Sequence, residues 1–242
     1  ADLFTLLNSE FQKERQGVLS SDFCTMRVTA ERYAREKMHL LSLHEEVTLE
    51  EIYSELQELY DLPHNICKNM MNLEIQYELQ YCKARKYGYE LYLLALDMGK
   101  RVVCTSDMYL TKDIITLLLR NNGFTEIDDI FVSSEKRRTK HNGTLYKVVL
   151  HELGISPQNI LHIGDNEYSD IQVPQKLGIH TVHLPKTMDV WSNSIPSKLS
   201  GTFFSRCYHD NTVLNAQGSF QFIGSSCLQA VVANELFDNP FR

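Results

Sequence analysis

The chain has 242 residues, is 43% hydrophobic and carries a formal net charge of −7. This composition is typical of one substantial globular domain, or of a core with a smaller appendage. The acidic balance argues against a nucleic-acid or anionic-membrane partner, since both attract clustered positive charge. No run approaches the roughly 18 apolar residues of a membrane span. The N-terminal residues do not resemble a secretory signal. The six cysteines are dispersed without a CxxC pair, which predicts reduced thiols and a cytoplasmic protein.

Residues 1–98 are expected to be helical. The segment Thr48-Leu-Glu-Glu51 has the pattern of a capping box and should begin a helix. A single long helix is predicted over residues 64–98, with apolar residues three and four apart along it. Four charged residues of this part are assigned to solvated faces and i,i+4 pairs, with substrate contact as the less favoured alternative. They are Glu31, Arg32, Glu74 and Glu78.

Beyond residue 98, short apolar runs alternate with amphipathic segments. Such alternation indicates βαβ units and a parallel sheet with helices on both faces. The predicted strands are 101–105, 129–132, 159–163 and 180–183, and the predicted helices are 112–122, 144–153 and 169–177. The chain is therefore divided into a helical part at 1–98, an α/β core at 99–190 and a loop-rich extension at 191–242. A candidate last helix lies at 225–237.

Polar residues follow three of the predicted strands. Ser106 follows the first strand, Lys140 lies in the loop after the second, and Asp165 and Asp170 follow the third. The carboxyl ends of parallel strands meet at one edge of a sheet, so these side chains should converge. The set suits phosphoryl transfer, because a hydroxyl and an ammonium can bind phosphoryl oxygens and carboxylates can bind Mg²⁺.

Each of these assignments leaves an alternative open. Asp165 and Asp170 could be plain helix caps, Ser106 a strand-end cap, and Lys140 a solvated loop lysine. Thr105 competes with Ser106, and Lys136 and Lys147 compete with Lys140. Asp107 and Asn166 are evenly balanced between a functional and a purely structural role. The nine histidines show no metal-ligand spacing and are assigned to the surface or the core.

The order hydroxyl, lysine, GDxxxxD resembles motifs II, III and IV of the haloacid dehalogenase (HAD) superfamily. Ser106 is similar to the motif II hydroxyl, Lys140 to the motif III lysine, and Gly164-Asp165 with Asp170 to motif IV. The resemblance spans residues 101–184. It implies a HAD-like, Rossmann-like parallel sheet core with an N-terminal helical cap. It also implies Mg²⁺ held by Asp165 and Asp170, catalytic roles for Ser106 and Lys140, and a small phosphorylated substrate.

Three segments carry a narrower resemblance. Ser106-Asp-Met-Tyr-Leu110, Lys140-His-Asn-Gly-Thr-Leu-Tyr146 and His162-Ile-Gly-Asp-Asn166 are similar to HAD domains of bacterial surface-polysaccharide and glycosyltransferase proteins. In that group a helical insert lies between motifs I and II, which corresponds to residues 1–98 here. The resemblance implies a glycosyltransferase that is fused to the domain or associated with it.

Motif I of the family, an apolar strand ending in DxDxT that supplies the nucleophilic aspartate, has no counterpart in the sequence. We therefore expect a chain that is inactive alone and that would belong to a hydrolase if a strand ending in DxDxT precedes Ala1; any other upstream sequence would favour a catalytically silent module. The sheet should have a central gap between strands 101–105 and 160–163, and residues 219–223 are the only spare apolar segment to fill it.

Two other functions compete with this hydrolase. The first is a catalytically silent HAD-like module with a structural or interaction role in a polysaccharide-assembly protein. The second is a response-regulator receiver, which also combines Asp, Ser or Thr, and Lys. The long helical insert and the GDxxxxD spacing argue against the receiver.

Overall fold

The structure is a computed structural model, and it describes residues 2–15 and 22–186. The predicted extension at 191–242, with its candidate strand at 219–223 and candidate helix at 225–237, lies outside them. The helices are α1 (Asp2–Arg15), α2 (Phe23–Leu41), α3 (Leu49–Tyr60), α4 (His64–Tyr81), α5 (Lys86–Asp97), α6 (Lys112–Asn121), α7 (Ser133–Lys136), α8 (Thr144–Leu153) and α9 (Val173–Lys176). The strands are β1 (Val103–Ser106), β2 (Asp129–Val132), β3 (Leu161–Gly164) and β4 (His180–His183). A 3-10 turn covers Pro157–Asn159 and a π-helical turn covers Glu167–Gln172.

The capping box at the start of α3 is confirmed. The Thr48 hydroxyl accepts a hydrogen bond from the Glu51 N–H at 3.2 Å, and the Glu51 carboxylate accepts one from the Thr48 N–H at 2.7 Å. Two donors that would otherwise be unpaired are thereby satisfied. The helix then buries Ile52 and Leu56 and packs on α2.

The single helix predicted over residues 64–98 is wrong. The chain leaves the helix at Cys82 and re-enters one at Lys86, which gives α4 and α5. Asn122, next to the end of α6, holds the break. Its amide oxygen accepts from the Ala84 N–H at 2.7 Å, and its amide nitrogen donates to the Cys82 C=O at 3.1 Å. Tertiary hydrogen bonds replace helical ones here, without a Gly or Pro to mark the position in the sequence.

The predicted parallel strands are confirmed, and within the described residues they form two separate pairs. β1 pairs with β2 in the register Val103↔Asp129, and β3 pairs with β4 in the register Leu161↔His180. The two pairs share α8 on one face. Leu145 of α8 packs with Phe131 of β2, and Tyr146 of α8 packs with residues next to β3 and β4.

The opposite faces of the two pairs differ. Ile130 and Val132 of β2 belong to the main apolar cluster, which also contains Ile115 of α6 and residues of α1 to α4. On β3 and β4, the corresponding face leaves Leu161 57%, Ile163 37% and Val182 41% exposed. The helical part therefore covers β1 and β2, and no described residue fully covers that face of β3 and β4.

A buried ion pair fixes the helices to each other. Arg27 and Glu74 are both 0% exposed. The Arg27 guanidinium donates to the two Glu74 oxygens at 2.9 and 2.8 Å, and the Tyr53 hydroxyl donates to Glu74 at 2.7 Å. The assignment of Glu74 to a solvated face is therefore wrong. Its periodic position on α4 faces α2 instead of water, and the partner that permits its burial lies 47 residues earlier.

The buried ion pair and helix α3 also contact the α/β core. The Tyr109 ring, in the loop after β1, lies 4.9 Å from the Arg27 guanidinium, and the Tyr109 C=O accepts from the Leu49 N–H at 3.0 Å. Glu31 forms the predicted i,i+4 pairs with Arg27 and Arg35.

No described helix is long and apolar enough to cross a membrane.

Candidate functional site

Lys140 lies at the carboxyl ends of both strand pairs. Its backbone N–H donates to the two oxygens of Asp107, which follows β1, at 2.8 and 3.0 Å. Its ammonium donates to Asp170, which lies in the turn after β3, at 2.7 Å. One residue thus connects the end of β1 with the end of β3 and presents a cation between them.

Asp170 is a buried carboxylate with three protein partners. Its Oδ1 atom accepts from Lys140 and contacts His162 Nε2 at 3.1 Å, and its Oδ2 atom accepts from the Asn166 N–H at 3.0 Å. Burial opposes ionisation, but the hydrogen bond to His162 and the charge of Lys140 hold the pKa of Asp170 well below its usual range. Asp170 is therefore an anion that orients the Lys140 ammonium.

The sequence after β3 brings Asp170 to this position. The Asn166 side chain caps the following turn, because its oxygen accepts from the Tyr168 and Ser169 N–H groups at 3.0 and 2.9 Å. Gly164 leaves room for the carboxylate, since a Cβ there would lie 2.4 Å from Asp170 Cγ. Glycine is thus required at the end of β3 by the close approach of an anion.

Tyr146 of α8 contacts the backbone and the His162 ring beside Asp170. Its hydroxyl donates to the Ser169 C=O at 2.9 Å, and its ring meets the His162 ring edge-on at 5.1 Å between centroids. Burial, with the charges of Asp170 and Asp107, raises the pKa of Tyr146. Tyr146 therefore remains a neutral donor.

The helical part also holds the loop that carries Lys140. The Glu45 carboxylate, in the connection between α2 and α3, accepts from the Thr139 N–H at 3.0 Å and from the Thr139 hydroxyl at 3.2 Å. It also accepts from the Thr144 hydroxyl at 2.5 Å. Burial raises the pKa of Glu45, but these hydrogen bonds outweigh burial and lower it. The position of Lys140 therefore depends on both the core and the helices.

The predicted site residues differ in how closely the structure joins them. Lys140 and Asp170 are in direct contact. Ser106 is the half-buried last residue of β1, immediately before Asp107. Asp165 is exposed, and its C=O contacts His183 Nε2 at 3.0 Å. The competing residue Lys136 is paired with Glu152 at 2.7 Å. The chemical roles of these side chains stay predictions.

Two residues of the site are not among those that the sequence selects. Asp107 is evenly balanced between a functional and a structural role in the sequence, and His162 is assigned to the surface or the core with the other histidines. The two-residue period of a strand gave a signal for His162, because it shares a face with Gly164, next to which the Asp170 carboxylate lies. No comparable signal shows that Asp107 accepts from the backbone of Lys140, 33 residues later.

Of the two carboxylates predicted to hold Mg²⁺, the exposed Asp165 fits the ion more readily than Asp170 does. Mg²⁺ binds one or two carboxylates and completes its coordination with water and substrate phosphate. Three of roughly four lone-pair positions of Asp170 are taken by protein groups. Among residues 2–15 and 22–186, no group of three or more His, Cys, Asp or Glu side chains is arranged to hold a metal ion.

Comparison with known proteins supports the HAD resemblance. Residues 137–186 match the family model described as HAD-hydrolase-like. An L-2-haloacid dehalogenase is 13% identical, with a TM-score of 0.53 over 77% of this chain and 79% of the other. The magnesium-bound HAD-hydrolase candidate YfnB from Bacillus subtilis is 16% identical, with a TM-score of 0.52 over 75% of this chain and 81% of the other.

A haloacid dehalogenase-like family hydrolase from Xanthomonas campestris is also 16% identical, with a TM-score of 0.50 over 76% of this chain and 75% of the other. No curated protein matches the sequence significantly. At these identities the similarity establishes the fold alone. The chain has the fold of the HAD-like hydrolases, with the N-terminal helices in the place of a cap, and residues 137–186 match the model of that family.

Proposed function

We propose that the residues around Lys140 form the phosphate-binding half of a Mg²⁺-dependent HAD-type phosphohydrolase. The observation that supports this function is the Lys140 ammonium, held at 2.7 Å by the buried Asp170 anion. A cation fixed in this way can neutralise a phosphoryl oxygen without reorganising as the reaction proceeds. The Ser106 hydroxyl, at the end of β1, would donate to a second phosphoryl oxygen.

The remaining roles are further parts of this proposal. Asp165 would hold Mg²⁺ together with substrate oxygens, and the bound ion would neutralise phosphoryl charge. The nucleophilic carboxylate, which forms the aspartyl-phosphate, would come from a DxDxT strand that residues 1–242 do not contain. The helical part would select a small phosphorylated substrate. A cytoplasmic location and an associated glycosyltransferase stay predictions.

Inorganic phosphate binding, followed by ³¹P NMR, tests the proposal without requiring turnover. Lys140→Met should weaken phosphate binding by about tenfold or more, because a charge-assisted hydrogen bond contributes about 1.5–3 kcal/mol. Lys147→Met changes an exposed lysine of α8 and should leave the affinity unchanged. Absent phosphate binding, or equal affinity in both variants, would favour the catalytically silent module.

A further inference from the structure

Two contacts join the segment between α7 and α8 to the turn after β3. The first is the ion pair of Lys140 and Asp170, whose side chains are 13% and 4% exposed. The second joins the next residue, His141, to Tyr168, and the centroids of their rings lie 4.8 Å apart. Tyr168 is 43% exposed, and His141 is exposed too. The ion pair is therefore the inner contact between the two segments, and the ring pair is the outer one.

The backbone that carries His141 is held on both sides. The His141 N–H donates to Asp107 Oδ2 at 3.2 Å, beside the bond from the Lys140 N–H to the same carboxylate. Two residues further on, the chain passes close to α9 at Gly143, where a Cβ would lie 3.1 Å from Val173 Cγ1. His141 is thus a fixed neighbour of Lys140, although its side chain is exposed.

Tyr168 is held through its backbone and through its ring. The Asn166 side-chain oxygen accepts from the Tyr168 N–H at 3.0 Å, and the Tyr168 C=O accepts from the Val173 N–H. The Lys176 ammonium lies 5.7 Å from the ring centroid, within the range of a cation–π contact. The turn Glu167–Gln172 is π-helical, a rare geometry that is frequent at functional sites. The ring is therefore ordered while much of it contacts water.

An ordered aromatic surface beside a phosphate site is suited to bind a ring of the substrate. Binding to a preorganised side chain costs less conformational entropy than binding to a free one. A pair of rings also contributes binding energy beyond the apolar area that it buries. A phosphoryl group at the Lys140 ammonium would leave the rest of its ester on the solvent side of the ion pair. His141 and Tyr168 are exposed rings that border the ion pair on that side.

We propose that Tyr168 and His141 bind the leaving group of the substrate, and that this leaving group has a ring attached directly to the ester oxygen. The inference rests on the proposed phosphate site at Lys140, and it narrows the substrate class to phosphate monoesters of ring compounds. Tyr168 would provide the larger apolar surface, and His141 would border it. Both residues would determine specificity, and neither would take part in bond cleavage.

Two phosphonates test this inference without requiring turnover. In benzylphosphonate a methylene group replaces the ester oxygen and carries a ring, whereas in ethylphosphonate the same methylene group carries only a methyl group. In ³¹P NMR titrations, the wild type should bind benzylphosphonate about five to ten times more tightly than ethylphosphonate, the size expected of one aromatic contact. Nuclear Overhauser effects should connect the benzyl ring protons with those of the Tyr168 ring.

Matched variants locate the ring contact. Tyr168→Ala should reduce the preference for benzylphosphonate to about twofold or less and leave the ethylphosphonate affinity unchanged, whereas Tyr168→Phe should keep the preference. Tyr33→Ala is the control and should also keep it, because Tyr33 of α2 is likewise 43% exposed and has the Arg32 guanidinium 5.4 Å from its ring centroid. His141→Ala should lower the preference by about half, and it decides the question if Tyr168→Ala does not fold.

The titrations separate this inference from the proposed function. Equal affinity of the wild type for both phosphonates, or a preference that survives Tyr168→Ala, would overturn the inference and leave the phosphate site in place. A parallel loss of both affinities in Tyr168→Ala would also overturn it, because the rings would then only hold the two segments together. Benzylphosphonate that binds Lys140→Met as tightly as the wild type would overturn it too, since the ligand would occupy an unrelated apolar site. If neither phosphonate binds, the proposed function fails and this inference fails with it.

Discussion

The two strand pairs of the sheet have the same length and direction, yet they differ in how they are covered. In β2, Phe131 and Val132 are each 1% exposed, because α8 covers one face and the helical part covers the other. In the second pair, Leu161 is 57% and Val182 41% exposed. Parallel strands are normally covered on both faces. The helices before the core therefore cover the second face of the β1–β2 pair, and the candidate site lies where that pair meets the β3–β4 pair.

The largest expected effect contrasts one apolar residue from each pair. Phe131→Ala should lower the free energy of unfolding by about 3–5 kcal/mol, because it opens a cavity in a closely packed core. Leu161→Ala should change it by no more than about 0.5 kcal/mol, because the side chain is already largely in water. Urea denaturation of both variants checks the contrast. Similar losses would mean that the second pair is covered as fully as the first.

The packing of the helices that cover β1 and β2 depends on the buried Arg27–Glu74 ion pair. Glu74→Ala leaves the Arg27 charge buried without its main partner and should cost about 3 kcal/mol in the free energy of unfolding. Glu58→Ala is the matched control, because its side chain is 73% exposed and lies 3.5 Å from Lys37, and it should cost little. A loss below about 1 kcal/mol for Glu74→Ala would contradict the buried position.

A substitution at Gly164 tests the packing of Asp170 where the β1–β2 and β3–β4 pairs meet. In Gly164→Ala, the new Cβ would meet Asp170 at 2.4 Å, so we expect a loss of about 1–3 kcal/mol in stability and weaker phosphate binding. Gly88→Ala serves as the control, because its Cβ would make an ordinary contact of 3.8 Å with Leu184 inside α5. That variant should be neutral or more stable by up to about 1 kcal/mol. Unchanged phosphate affinity in Gly164→Ala would separate Asp170 from the site.

The smallest expected effect is a pH dependence. The pKa of Asp170 is lower in the folded chain than in the unfolded chain. Its ionisation therefore stabilises the fold above a pH of about 4, and this contribution is lost as the pH falls further. In urea titrations, the stability gap between the wild type and Asp170→Asn should be widest near neutral pH and narrow below pH of about 4. A gap that is independent of pH would mean that the carboxylate is not held as an anion.

Local patterns in the sequence predicted much of the fold. The capping box located α3 because its partners lie three residues apart, and the alternation of apolar runs located β2, α8 and β4 within a residue. The break at residues 82–85 could not be predicted, because the group that holds it, Asn122, is remote in sequence. The buried Arg27–Glu74 pair was missed for the same reason.

The candidate site shows the same difference between what local patterns predict and what remote contacts decide. Residue type and strand-end position selected Lys140 and Asp170, which the structure joins at 2.7 Å. The motif assigns Asp170 to a metal site, which stays a prediction, and the structure places its carboxylate in contact with Lys140 and His162. The contact between Lys140 and Asp170 depends on distances across the sheet edge, and a single sequence does not contain them.

Residue-resolved hydrogen exchange of the chain alone tests the central claim, which is that the strands of the described residues form two separate pairs, so that β1 and β3 each have a strand neighbour on one side only. Within each of β1 and β3, neighbouring amides should alternate. The Thr105 and Ile163 amides should exchange about 100 times faster than those of Cys104 and His162, because backbone groups alternate along a strand and only the latter two point towards β2 and β4. Equal protection of all four amides would contradict the account, because it would show that β1 and β3 already have a strand partner on both sides.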